Sequence, residues 1–596
     1  MFEREDAKKL SKVGIHSLLD LALFLPSAYE DNSLSQEFID GQTGVYSIKI
    51  ESASRGRGRV YRAKGYESSK DQEVDILFFN ALPYHRATIK SGFEGYLKGR
   101  VQKSGRHITL LQPKILKEVG GIDFKYQTKL LKKKSIVDIK NRYLNLETLK
   151  EAGLPEEVAS EIINLHFPKS IIPTNPYPPS SLEALKFTEI YHYLKRLSSK
   201  RRVFEAKVAL KSPTDEFIKQ LPFSLTSEQK SVLQDIESDL EKKEATRRVV
   251  VGDVGSGKSV LMFIAAFKAK PYKSIIMAPT TVLANQLHSE ALRLSEGLLR
   301  VALFTQSKKE PFKEADLIIG THALLYTDLP ESVLIMVDEQ HRFGTNQRAK
   351  LMELLREDRL RPHYLQFSAT PIPRTKAMIN STLINYSFIT KTPFEKNITT
   401  AVIRNSDFKN VLSHIRQETQ EGRQVAIIYP LVEESENFEY MSIAQGASFW
   451  ESRFEGVYKT HGKDREKEQV LEEFAKKGSI LISTTVIEVG ISLPRLSTIL
   501  IVGAERLGLA QLHQLRGRVG RIGLKSYCFL YTKQKTSPRL DMFAKTTSGF
   551  EIAELDLKFR ESGDLLEGRR QSGKRFRFFD YKEDVIILQK VKEILG

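Results

Sequence analysis

The stretch from Arg248 to Ser259, RVVVGDVGSGKS, restricts what this chain can fold into more than any other. Three valines lead into G-x-x-x-x-G-K-S, Gly252 to Ser259, and the apolar run SVLMFIAAFKA follows. A β-branched run that breaks into glycines and resumes as an apolar stretch predicts a strand, a tight loop and a buried helix, in that order. Such a loop cradles a polyphosphate. Across Gly252, Asp253, Val254, Gly255, Ser256 and Gly257, the glycines let successive backbone N–H groups turn inward. Lys258 reaches the β and γ phosphates, the Ser259 hydroxyl ligates Mg²⁺, and the helix N-terminus adds its dipole.

Two carboxylates complete an ATP-hydrolysing set. Asp338 and Glu339 follow directly on the apolar run VLIMV, so they fall at the C-terminal end of a buried strand, where open α/β sheets bind ligands. In an ATPase the first carboxylate holds Mg²⁺ and the second orients and deprotonates the attacking water. Upstream of the loop, LPFSLTSEQ puts Gln229 where an adenine-reading glutamine would lie. FSATP offers Ser368 and Thr370 after another strand, hydroxyls able to link the nucleotide site to a second block. QLRGRVGR, 514 to 521, holds Gln514, Arg516, Arg518 and Arg521. On a helix Arg518 and Arg521 share a face and can both point across a cleft at the γ-phosphate, an arrangement worth orders of magnitude in rate. A basic solvated helix is the plainer alternative, and Gly517 and Gly520, which cost helix stability, count against it.

The chain is too long, at 596 residues, for one core, and a soft prior of roughly 150 residues per domain suggests three or four. With 92 Lys+Arg against 74 Asp+Glu the net charge is +18. That excess favours a polyanionic partner, nucleic acid above all. The single cysteine, Cys528, excludes an internal disulfide and a cysteine-based zinc cluster and points to a reducing, cytoplasmic setting. The N-terminus MFEREDAKKL is charged and LLDLALFL is cut by Asp20 and closed by Pro26, so neither export nor a membrane span is expected.

Along the chain, residues 1–40 read as a helical lead-in, with two short helices joined near Gly14. From 41 to 120 the character changes. YSIKI, VYRAKGY, VDILFFN, FEGYLKGRV and HITLLQPKIL are short alternating segments separated by Gly, Ser and Asn, which suits a five-stranded barrel of the oligonucleotide-binding type. Residues 41 to 118 carry 15 Lys+Arg against 7 Asp+Glu, a net +8. The aromatics Phe78, Phe79 and Tyr84 are candidates to stack on bases. From 119 the strand signal stops, and 121–215 reads as a helical linker ending in a long amphipathic helix with Leu182, Leu185, Ile190, Tyr193, Leu194 and Leu197 on one side. Strands then alternate with helices in two blocks, 216–392 and 393–535, the signature of parallel α/β structure, and 536–596 closes the chain.

GDVGSGKS, APTTVLANQ (278–286), GTHAL (320–324), DEQH (338–341), SATP and QLRGRVGR resemble, in order, the motifs of a superfamily 2 helicase motor. Their wording is that of a narrower group. DEQHRFGTNQR (338–348), SATPIPRT (368–375), STTVIEVGISLP (483–494), AERLGLAQLHQLRGRVGR (504–521) and the N-terminal GIHSLLDLALFLPSAYED resemble the RecG family, ATP-dependent helicases of branched DNA. The resemblance implies two RecA-like motor domains, preceded by an OB-fold wedge barrel and followed by a helical hairpin. It implies that the motor translocates on duplex DNA while the wedge splits the strands of stalled replication forks and Holliday junctions, using ATP and Mg²⁺. It implies coupling roles for Gln340, His341, Ser368, Thr370 and Gln514, and, in the translocation motif at 548–573, for Arg560 and Gln571. It also implies monomeric action on branched double-stranded DNA, with a single-strand-binding protein as a candidate partner.

The chain departs from the family's pattern in places. Ser492 stands where Asp is usual, Glu567 is an extra residue in the hairpin loop, and Arg569 replaces a Thr, which makes Arg570 the alternative for Gln571's role. The N-terminus begins without the glycine-rich turn and helical extension of many relatives. Three other readings compete: a transcription-repair coupling translocase, an RNA helicase, and a non-catalytic nucleic-acid scaffold. The first needs additional partner-binding modules, the second lacks a wedge barrel, and the third would not keep Lys258, Ser259, Asp338, Glu339, Arg518 and Arg521 together.

Overall fold

A computed structural model describes residues 2–595 apart from 68, 70–71, 127, 129, 200, 356–358, 371–376, 380, 394–396, 431–439, 441, 463, 465, 486–492, 521–522, 568–575 and 581–582; at 444, 557 and 560–567 only the backbone is described. The chain divides into two compact units, one comprising Met1–Arg196 and Lys574–Gly596, the other Leu197–Gly573.

The first unit opens on the two predicted helices, Arg4–Ser11 and Leu18–Ala22, the second capped by the Ser17 hydroxyl, which accepts from Asp20 N. Strand β1 (Ala28–Asp31) precedes a closed barrel of β2 (Thr43–Arg55), β3 (Tyr61–Glu67), β4 (Gln72–Phe78), β5 (Glu94–Ser104) and β6 (His107–Leu116), in the order β2-β3-β4-β6-β5. Alternate residues point inward as the pattern requires, so Ile48, Ile50, Val74, Ile76, Phe78, Leu97 and Leu110 form one core. The strands do not stop at 119. β7 (Ile122–Lys125) pairs antiparallel with β1, and a strand of four residues held by a partner on the far side of the barrel in sequence leaves little local signal.

Helices make up the rest of this unit. Within Lys133–Tyr143, Lys140 is only 1% exposed. Its ammonium donates to Tyr126 Oη (2.6 Å) and His166 O (3.1 Å) and lies 4.7, 5.4 and 5.1 Å from the ring centres of Phe124, Tyr126 and Phe167. The long helix Pro179–Ser198 buries Leu185, Ile190 and Leu194 as predicted, and also Phe187 and Tyr191. It receives the C-terminal tail. Glu189 accepts from the backbone N–H groups of Arg577 (2.7 Å), Phe578 (2.8 Å) and Phe579 (3.0 Å), Tyr193 meets Phe576 edge-on at 5.1 Å, and Lys186 pairs with Asp584 at 2.7 Å.

The second unit holds two parallel sheets. The first contains β8 (Arg247–Gly252), β9 (Ser274–Met277), β10 (Val301–Phe304), β11 (Leu317–Gly320), β12 (Leu334–Asp338), β13 (His363–Ser368) and β14 (Asn385–Ile389), ordered β10-β11-β9-β12-β13-β8-β14. The second contains β15 (Ile398–Ile403), β16 (Gln424–Ile428), β17 (Val457–Thr460), β18 (Ile480–Ser483), β19 (Leu496–Val502) and β20 (Ser526–Tyr531), ordered β15-β20-β19-β16-β18-β17. Both are RecA-like lobes. Strands such as β12 are buried throughout because helices cover both faces, and so they read as unbroken apolar runs rather than alternating ones. After the second sheet comes the helix Gly549–Glu567; the loop of the expected hairpin lies outside the described residues. Arg569, Arg570 and Gln571 lie outside the described residues, as does Ser492. Among the described residues no helix is long and apolar enough to cross a membrane.

Candidate nucleotide site

The loop between β8 and the helix Lys258–Lys268 has the predicted form. Gly255 (φ +80°) and Gly257 (φ +82°) adopt the left-handed backbone that glycine alone enters without strain. A Cβ on Gly257 would lie 2.3 Å from Gln229 Nε2, and one on Gly252 would lie 2.5 Å from Ser256 Oγ. The Lys258 ammonium donates to Gly252 O (2.6 Å) and Asp253 O (3.0 Å), holding it over the loop. Gln229 is placed differently from the adenine reader expected. Its Oε1 accepts from Thr226 N (2.8 Å) in a capping box and its Nε2 donates to Ser256 O (2.9 Å), so this 2% exposed amide ties the start of its helix to the loop.

Asp338 ends β12 beside this loop and is 9% exposed. Burial, reinforced by the neighbouring Glu339 charge, pushes its pKa well above the usual carboxylate range, and the cations of Lys258 and Arg518 act against that. Its Oδ1 has no hydrogen-bond partner among the described residues. A buried carboxylate oxygen without a hydrogen-bond partner among the described residues is a hard oxygen donor of the kind a Mg²⁺ ion takes when ATP phosphates and water supply the remaining ligands. No group of three or more His, Cys, Asp or Glu able to hold a metal by itself occurs among the described residues.

Glu339 sits in the left-handed region (φ +49°), an uncommon backbone for a glutamate and a mark of a functional constraint. Its carboxylate accepts from Ala369 N (2.6 Å) and Ser368 Oγ (3.4 Å), and His341 Nδ1 lies 3.3 Å away. Thr370 Oγ1 meets a ring nitrogen of His341 (3.1 Å) and accepts from Gln514 Nε2 (2.9 Å), while Arg342 donates to Gln514 Oε1. Five of the predicted residues, Glu339, His341, Ser368, Thr370 and Gln514, are thus joined in one hydrogen-bonded chain that crosses from the first lobe to the second. Gln340 lies in the same turn, with no side-chain hydrogen bond among the described residues.

In the second lobe the helix stops earlier than expected. It spans Leu509–Arg516, and Gly517 and then Gly520 (φ +76°) turn the chain out of it. Arg518 therefore lies beyond the helix, on the turn that follows it. A Cβ on Gly517 would lie 3.0 Å from Val254 Cβ, so the chain packs tightly against the phosphate loop at this glycine. Arg518, on the turn, is the arginine whose charge reaches Asp338. Arg521 lies outside the described residues.

Two residues of the site went unread in the sequence although both lie inside quoted motifs. Arg342 ends DEQHR and supplies the link to Gln514. His513 precedes Gln514. Its Nε2 meets Asp253 Oδ1 at 2.7 Å and its Nδ1 meets Arg516 Nη2 at 3.1 Å, while Arg516 lies 4.4 Å over the Phe543 ring. A histidine on a short helix carries no signal of this until the two lobes are placed. In the first unit, Phe79 and Tyr84 are each 57% exposed on the loop and short helix after β4, whereas Phe78 belongs to the barrel core. Arg560 lies on the helix Gly549–Glu567, described there by its backbone alone.

Residues 226–379 match the DEAD/DEAH box helicase family and residues 406–523 the helicase conserved C-terminal domain. An ATP-dependent DNA helicase RecG from Helicobacter pylori is 40% identical over 603 residues, covering 98% of this chain and 96% of the relative. The Streptococcus pneumoniae protein of the same name is 34% identical over 640 residues, covering 99% and 93%. A solved structure of RecG bound to a three-way DNA junction is 27% identical with a TM-score of 0.57, covering 100% of this chain and 84% of that one.

Proposed function

The chain belongs to the RecG family of ATP-dependent DNA helicases, and from that membership we propose how its residues divide the work of opening branched DNA. It is an ATP-dependent DNA helicase that acts on branched DNA. An RNA helicase or a catalytically silent scaffold is not favoured. The observation that carries the proposed roles is the chain of contacts from Glu339 through His341 and Thr370 to Gln514, which crosses from the first lobe to the second.

In this reading the loop from Gly252 to Ser259 holds the ATP phosphates, with Lys258 on the β and γ groups and Gln229 keeping the loop in shape. Ser259 and Asp338 would hold Mg²⁺, which would supply charge neutralisation at the ATP phosphates. Glu339, fixed by Ser368 and the Ala369 amide, orients the attacking water and takes its proton. Arg518, with Arg521 beside it in sequence, meets charge as it develops on the γ-phosphate, so hydrolysis requires the lobes together. His341, Thr370, Gln514 and Arg342 pass that closure on, with Gln340 in the same turn, and Arg560 and Gln571 turn it into a step along duplex DNA. Phe79 and Tyr84 stack on bases where the barrel parts the strands of a replication fork or Holliday junction. The protein works as a monomer in the cytoplasm, with a single-strand-binding protein as a partner at the fork.

The test is ATPase stimulation by forked, linear duplex and single-stranded DNA at equal nucleotide concentration. Forks should stimulate most. Equal stimulation by all three, or stimulation by RNA alone, would contradict the branched-DNA reading.

A further inference from the structure

The helix Ser227–Leu240 begins with two neighbouring side chains that hold different parts of the motor. Gln229 donates to Ser256 O in the phosphate loop. Glu228, one residue earlier, accepts from Thr390 N (2.6 Å), Thr390 Oγ1 (2.6 Å) and Lys391 N (2.8 Å). Thr390 is the first residue beyond β14, whose last residue, Ile389, is in register with Gly252 at the mouth of the loop. The contact there is close, since a Cβ on Gly252 would lie 3.2 Å from Ile389 Cβ. From Lys391 the chain leaves the first sheet and enters the second at Ile398.

Two consecutive backbone amides and a hydroxyl converging on one carboxylate fix the direction in which the chain leaves the first lobe. Hydrogen bonds to a charged acceptor are the strong kind, and a carboxylate in the first turn of a helix is further favoured by the helix dipole. Burial pushes the Glu228 pKa up, but the bonds from Thr390 and Lys391 outweigh it and leave the group ionised with a lowered pKa. We propose that Glu228 is a positioning residue that anchors the hinge between the two motor lobes, setting the point at which the chain is released from the first lobe. This inference rests on the helicase reading above.

The consequence for catalysis follows from the geometry. Lobe closure must bring Arg518 and Gln514 to the same place in every cycle. With residues up to Lys391 held beside the phosphate loop, the arc of the second lobe starts from a fixed point, and the same helix start braces that loop through Gln229. Without the anchor the loop still binds ATP, but the arginine arrives over a spread of positions. An interaction needed only as the lobes close affects kcat and leaves KM for ATP nearly alone.

The experiment uses the full chain with forked DNA at saturation, well below the unfolding temperature of every variant. Glu228→Ala should lower kcat about tenfold with KM for ATP within about twofold of wild type, the size expected for loss of charge-assisted hydrogen bonds at a step that needs them. Glu228→Gln keeps one acceptor oxygen and should recover most of the rate. Thr390→Val keeps both amides, loses the hydroxyl, and should fall between the two. A wild-type kcat in Glu228→Ala, or a rise in KM with kcat intact, overturns the anchor. Should Glu228→Ala fail to fold, the other two variants carry the test, and wild-type rates in Thr390→Val together with no difference between Glu228→Gln and wild type overturn it. If the wild-type protein itself shows no DNA-stimulated ATPase, it is the helicase reading that fails instead.

Discussion

Replacing Gln514 by alanine tests whether the two lobes communicate through the chain of side chains between them. Gln514 is buried and its amide is used at both ends, Oε1 accepting from the Arg342 guanidinium and Nε2 donating to Thr370 Oγ1 at 2.9 Å. The first is a hydrogen bond to a charged group, worth about 1.5–3 kcal/mol, and the second a neutral one, worth about 0.5–1.5 kcal/mol. Only the part of that sum gained as the lobes close affects the chemical step, so kcat should fall about 10- to 100-fold. Steady-state ATPase on saturating fork gives kcat, and thermal unfolding gives the cost to the resting fold. A double-mutant cycle with Thr370→Val isolates the neutral bond and should return about 0.5–1.5 kcal/mol of coupling. An unchanged kcat in Gln514→Ala, or strictly additive losses in the cycle, would refute the idea that this amide carries closure to Glu339.

Other outcomes follow from the same geometry. Lys258→Ala should abolish hydrolysis while fork binding stays near wild type, whereas Glu339→Gln should bind ATP without turning it over; nucleotide-binding and phosphate-release assays separate the two. Phe79→Ala with Tyr84→Ala should leave DNA-stimulated ATPase largely intact but remove the preference for forks over linear duplex in competition binding. Burial holds the Lys140 pKa down to about 7 from its ordinary 10.5, so between those values the unfolded chain binds the extra proton. Stability from this site should therefore rise with pH through that window, by at most about 1.4 kcal/mol per unit, and be lost as pH falls towards 7. Hydrogen-exchange protection of the helix Lys133–Tyr143, corrected for intrinsic rates, should show that slope in wild type and not in Lys140→Met.

The parts legible in the sequence are those whose pattern is local. The barrel strands alternate and are punctuated by Gly, Ser and Asn, and the phosphate loop carries strand, glycines and helix within a few residues, so both were found where they lie. Strands such as β10 (VALF), β15 (ITTAVI) and β17 (VYKT) are short and neither alternate nor form long apolar runs. They exist because a sheet is there to receive them. The same distinction holds at the site. Lys258, Asp338 and Glu339 announce themselves by position after a strand. Arg342, His513 and Glu228 act through partners in distant segments, Gln514, Asp253 and Thr390, and no local spacing reveals them. Reading 514–521 as one helix failed for a related reason. The glycines that argue against a bland helix are the ones that end it.

The tail bound to Glu189 has a consequence for biosynthesis. Because Lys574–Gly596 belongs with Met1–Arg196, the first unit is interrupted in sequence by the whole of the second. A ribosome adding 5–20 residues per second needs roughly 20–75 seconds to pass from one half of the first unit to the other. Through that interval the barrel has all its strands, but the helix Pro179–Ser198 lacks the amides that Glu189 will bind and the ring that Tyr193 will face. The motor can therefore finish folding before the unit that was begun first. A chain released before residue 574 carries an uncovered carboxylate and aromatic ring on that helix, a mark of incompleteness at the start of the protein that is independent of the state of its motor.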